Sequence, residues 1–222
     1  MWLFKRIIYL CIILAAILIA YNRKKSLPAN LSALKTLLVI VFFNETLAII
    51  FAYTFKQTSL LYALFGPVQV FLISFVYKKT FVSRKTIIAT NLLMYACLIV
   101  MLVTAIINKA WMQVNSEGNT LKSIYIVLLC LLLFTDWLRF PTTFNIMKEP
   151  MFWVNMGFFF FFAINVFFWI GYDFLAEENS AILKKLEPIQ YFSNLFLYGN
   201  ILYAFILQKK EVKRLEYETG PV

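Results

Sequence analysis

Apolar residues run through this chain in long uninterrupted stretches, and the polar residues fall mainly in short clusters between them. The runs cover about 7–21, 36–55, 60–77, 86–107, 123–140, 151–174 and 186–207. Each is near the ~20 residues that an α-helix needs to cross ~30 Å of hydrocarbon at ~1.5 Å per residue. None shows the period-two alternation of a half-buried strand. The pattern predicts an all-α integral membrane bundle of seven transmembrane helices, followed by a short cytoplasmic tail, 211–222.

The breaks carry their own signals. Leu27-Pro28 separates the first two runs, and the Lys56–Ser59 turn separates the second and third. Gly66-Pro67 lies inside the third run and predicts a kink, because proline removes a backbone donor and crowds the preceding turn. Pro141 and Pro150 bracket the connection before the sixth run. Ala15, Ala16 and Ala20 give the first run the look of a signal peptide, but Arg23-Lys24-Lys25 follows at once and acts as a retention charge, so the run is expected to stay as a helix.

Composition sharpens the class. The 222 residues are 62% hydrophobic and only 14% charged, with mean hydropathy +0.78. Soluble domains carry nearly twice that share of charge. The formal net charge of +10 does not point to nucleic acid, because Lys and Arg cluster at the ends of apolar runs, where they meet lipid headgroups. Fourteen of the 21 lie on one side of the expected topology, which places the N-terminus outside and the C-terminus in the cytoplasm. Trp137, Arg139 and Trp153 are expected anchors at the inner interface, with Asp136 and Arg139 paired on one helical face; Trp2, Trp111 and Trp169 fall at the outer one.

Histidine is absent and the three cysteines lie within apolar runs. The usual general base, histidine metal sites and a disulfide framework are thereby removed. No metalloprotease, nucleophile-elbow, phosphate-loop or dinucleotide motif occurs, so neither a catalytic residue, a metal nor a cofactor is expected.

Candidate chemistry centres on Glu45, near the middle of its run beside Asn44. Intramembrane carboxylates are costly and face a bundle interior or a wet cavity. Gln69 and Tyr95 reach similar depth, with Asn155, Asn165, Asn194 and Asn200 above and below; Glu45, Asn44, Gln69, Tyr95 and Asn165 form a candidate ligand or proton site. No Lys or Arg reaches that depth, so Glu45 is expected to be neutral and to bond to Asn or Gln. Two other features have plainer explanations: Phe158 to Phe162 as lipid contact and packing, and the acidic segment Asp173 to Glu187 as solvated surface. An internal repeat is also visible. Pro67, Gln69, Phe71, Phe75 and Tyr77 recur 121 residues later as Pro188, Gln190, Phe192, Phe196 and Tyr198, and Asn44 recurs as Asn165, which suggests a 3+1+3 arrangement.

Glu149-Pro150-Met151-Phe152-Trp153 with Gly157, and Asn200-Ile201-Leu202-Tyr203-Ala204 before Lys209-Lys210, resemble a group of bacterial seven-helix membrane proteins similar to the sensor regions of signalling kinases. That resemblance implies a bacterial inner-membrane location and a sensing or accessory role. The chain has only a dozen residues after Lys210, so output would pass to a separate cytoplasmic or membrane signalling protein. The 3+1+3 pattern is similar to that of sugar transporters, which keeps a small-solute or proton-coupled transporter around Glu45 as the alternative. A structural or assembly subunit is the third.

Overall fold

The computed structural model describes residues 2–22, 27–109, 114–141, 145–178 and 180–219, with side chains described outside 2–5, 173–185, 187 and 209–219. Seven α-helices and no strand occur among them: α1 (Trp2–Tyr21), α2 (Ala29–Thr54), α3 (Ser59–Lys78), α4 (Arg84–Ile107), α5 (Ser116–Arg139), α6 (Pro150–Glu178) and α7 (Ser180–Thr219). Five of them, α2 to α6, are long and apolar enough to cross a membrane; the described apolar part of α1 is shorter, Arg6–Tyr21.

The helices begin earlier than the apolar runs do, and local capping explains why. Pro28, extended at φ −62° and ψ 159°, precedes α2 and lets it start at Ala29 rather than near Thr36. Leu31 and Leu34 already lie on its buried face, so Lys35 is one charged position within a helix, not a boundary. Asn115 caps α5, its side chain accepting from Gly118 N–H at 2.9 Å, so α5 starts at Ser116 rather than Ser123. Ser83 does the same for α4. Pro150 opens α6, where a missing N–H costs nothing. Beyond Phe174, helix continues through most of the segment expected as a loop, α6 reaching Glu178 and α7 starting at Ser180. The acidic side chains expected there as solvated surface, with Trp2, Trp111 and Arg23-Lys24-Lys25, lie outside the described ones.

The packing closes a circuit of α1, α2, α3, α5, α6 and α7, with α7 returning to α1; α4 stands outside it, against α3 and α5. Two polar knots tie the circuit. The Tyr77 hydroxyl donates to Asn155 Oδ1 at 2.6 Å and lies 3.0 Å from Cys130 Sγ, while Asn155 Nδ2 donates to the Cys130 carbonyl at 3.3 Å. Ser74 Oγ and the Tyr125 hydroxyl lie 2.6 Å apart. Both knots are buried, and they join α3 to α5 and α6. Without solvent to satisfy them, such groups must find one another, and the pairing sets helix register.

Small residues set the closest approaches. A Cβ on Gly157 would lie 3.2 Å from Asn200 Cβ and 3.3 Å from the Leu197 carbonyl oxygen, so α6 and α7 touch backbone to backbone there. Gly66 has the same role more gently, facing Met101 of α4. Helix α3 runs unbroken through Pro67.

Candidate functional site

Four helices bring their polar side chains together around Glu45. On α1, Tyr9, Ile13, Ala16 and Ala20 recur at spacings of four and three and are all buried, and Arg6 lies one turn earlier on the same face. That face meets α2. The Tyr9 hydroxyl donates to Glu45 Oε2 at 2.7 Å, and Arg6 Nη1 stands 3.9 Å from the same oxygen. From α3 the Tyr62 hydroxyl interacts with both charges. From α7 the Tyr198 ring stacks on Tyr9, with centroids 6.0 Å apart and planes at 19°.

The expectation that Glu45 has no cation within reach is therefore corrected. Arg6 precedes the first apolar run and reads as a headgroup anchor in the sequence, but α1 begins at Trp2 and carries Arg6 inside the bundle. Glu45 is also off-centre. It lies nine residues before Thr54 and sixteen after Ala29, so ~13 Å from one end of α2 and ~24 Å from the other. A carboxyl beside a guanidinium and a phenolic donor has the charge and hydrogen-bond compensation that intramembrane charges require. The pair is partly accessible, Arg6 at 22% and Glu45 at 16%.

The other expected site residues do not all join this cluster. Asn44 is buried beside Glu45, and its Nδ2 has no partner among the described residues. Asn165 is buried on α6, donating to the Phe161 carbonyl at 2.8 Å and accepting from Gln190 Nε2 at 3.5 Å. Gln69 is half-buried on α3. Tyr95 faces away from the bundle, 60% exposed on the outer side of α4. Depth alone cannot tell the inner from the outer face of a helix, and Tyr95 shares Glu45's expected depth without its direction.

The interface anchors divide as well. Trp153 is half-buried, its indole donating to the Met147 carbonyl at 2.9 Å and meeting Tyr203 edge-on at 4.9 Å. Trp137 is buried against Phe134, and Arg139 is exposed. Asp136 turns inward, not toward Arg139: its carboxylate accepts from Val82 N–H at 2.7 Å and from Thr86 Oγ1 at 3.4 Å. A buried carboxylate is a strong acceptor for the Val82 N–H of the α3–α4 connection and for a hydroxyl in the first turn of α4. Asp136 thus pins the α3–α4 connection to α5. Elsewhere, about 330 Å³ of open groove lies between the start of α5 and the end of α6, lined by Glu117, Thr120 and Trp169 among others.

Arg6, Tyr9, Tyr62 and Tyr198 were not among the expected site residues. The heptad-like spacing from Tyr9 to Ala20, followed back one turn, is the signal that reaches Arg6. The chain matches no family model, no curated protein and no solved structure.

Proposed function

We propose that the chain is a seven-crossing membrane protein that senses a condition in or outside the membrane, or serves as an accessory subunit, and passes its state to a signalling partner. The observation that carries this is the link from the Glu45 cluster to α7. Tyr9 bonds to Glu45 and stacks on Tyr198, and α7 continues as one 40-residue helix to Thr219. A change at the charge pair therefore acts on the element that extends furthest along the chain toward its C-terminal end. In this reading the N-terminus lies outside a bacterial inner membrane, the C-terminus is cytoplasmic, and the partner meets the end of α7.

The 3+1+3 arrangement belongs to the same reading. Prolines 67 and 188 both lie within helices, and Asn44 and Asn165 are both buried, in support of it. Tyr77 and Tyr198 occupy different settings, one in the α3–α5–α6 knot and one against α1.

A second reading, a solute or proton-coupled transporter, is favoured by the partial accessibility of the Arg6–Glu45 pair. One experiment separates the two. Photocrosslinkers placed at 212 and 216 in living cells are expected to capture a defined cytoplasmic or membrane signalling protein, and Glu45→Gln is expected to change the yield. No captured protein, together with solute uptake by the purified chain in liposomes that Glu45→Gln abolishes, would establish the transporter instead.

A further inference from the structure

Helix α4 stands outside the circuit, and its outward face carries a regular seam. Ile88, Leu92, Tyr95, Ile99, Leu102 and Ile106 are spaced four, three, four, three and four residues apart, and every one is more than half exposed. Met94, Cys97 and Met101, with Thr90, mark the buried side of the same helix, roughly opposite. Spacings that alternate four and three keep a single stripe of the helix turned toward a partner helix.

Apolar stripes facing lipid are ordinary, and this one alone would not call for a protein partner. Tyr95 changes that. It is the twelfth of the 24 residues of α4, so its hydroxyl sits near the middle of the span, and no described residue bonds to it. A hydroxyl left alone in hydrocarbon is unfavourable by kilocalories, and tyrosine in membranes favours the interface, not the centre. Something outside the chain must satisfy it.

We propose that this face of α4 joins a second copy of the chain, side by side in the membrane, along the Ile88-to-Ile106 seam. A two-fold axis along the membrane normal brings each residue of the seam to its own counterpart at the same depth. Tyrosine suits that position because a hydroxyl both donates and accepts, so two Tyr95 side chains bond to each other across the axis. An unrelated partner would need its own polar group at that depth; a second copy supplies it by symmetry. The two protomers then pack parallel α4 helices, with the Glu45 clusters on the far sides. The proposal is independent of the sensor reading, because it requires only that α4 cross the membrane, for which it is long and apolar enough.

Single cysteines at Leu92, Ile99 and Leu102, in a Cys11→Ser background and in native membranes, test the seam. They are expected to form disulfide-linked dimers at least roughly fivefold more efficiently than cysteines at the off-seam positions Leu93 and Val100, or at Phe167 on α6, a maximum that recurs as a heptad stripe requires. Tyr95→Phe, which keeps the ring, is expected to weaken dimerisation about threefold in single-molecule counting of labelled chains in bilayers. Equal crosslinking at Leu93, Val100 and Phe167, a monomer at every protein-to-lipid ratio, or seam cysteines that link only to a different protein would each overturn the proposal.

Discussion

Tyr9 and Glu45 are 36 residues apart in the chain, and their oxygens meet at 2.7 Å inside the bundle. The same carboxylate oxygen faces Arg6 at 3.9 Å, so one atom ties together the first two helices. Glu45→Gln is expected to cost about 1–3 kcal/mol of stability, less than the full cost of breaking a buried pair because both side chains are partly exposed. The Arg6→Gln, Glu45→Gln double variant is expected to lose less than the two single losses added, since no uncompensated charge remains. Reversible unfolding in bicelles measures all four corners of the cycle, and strict additivity would show that the two charges do not interact.

The Tyr77 knot makes a separate test. Tyr77→Phe removes the donor to Asn155 Oδ1 at no cost in volume and leaves that oxygen buried. A loss of about 1–3 kcal/mol is expected. Asn155→Ala, which also frees the Cys130 carbonyl, is expected to be worse. If Tyr77→Phe is neutral, the knot does not contribute to holding α3 on α6.

Asp136 acts locally. Replacing it by alanine strips Val82 N–H of its acceptor and is expected to speed amide exchange at Val82 roughly tenfold or more, while amides in the centre of α5 change little. Hydrogen exchange read by mass spectrometry on peptides spanning 78–86 distinguishes this from global loosening, in which all segments would accelerate together.

Two glycines, one helix apart, should respond in opposite directions. Gly157→Ala forces a Cβ against the Leu197 carbonyl and Asn200 and is expected to destabilise by about 1–3 kcal/mol. A Cβ at Gly199 meets nothing within 4 Å, so Gly199→Ala is expected to be neutral or to gain up to about 1 kcal/mol from helix propensity. Thermal melts of the pair in one lipid mixture decide it.

The helical membrane class was legible because apolar length is a property of the sequence itself, and α2 to α6 followed from it. What escaped is direction around each helix. Glu45 stood out because any carboxylate in an apolar run does, whereas Arg6 was hidden by lying just before one; chain position suggested the headgroups, and the start of α1 at Trp2 places it inside. Tyr95 and Tyr77 are the same residue type in similar apolar surroundings, yet one faces outward and the other is buried in a three-helix knot. Only packing separates them. Asp136 and Arg139 look paired on a helical wheel, and the Val82 N–H of the α3–α4 connection, whose need for an acceptor is invisible in sequence, draws Asp136 the other way.

At 40 residues, α7 is ~60 Å long, about twice the thickness of the hydrocarbon layer. From Tyr198, where it rests on Tyr9, to Thr219 is about 32 Å of continuous helix. With the stack as fulcrum, a tilt of only ~5° swings the far tip by ~3 Å, about the length of one hydrogen bond. In the proposed sensor reading, mechanical advantage of this kind would turn a displacement too small to open the bundle into one large enough to make or break a contact at its end.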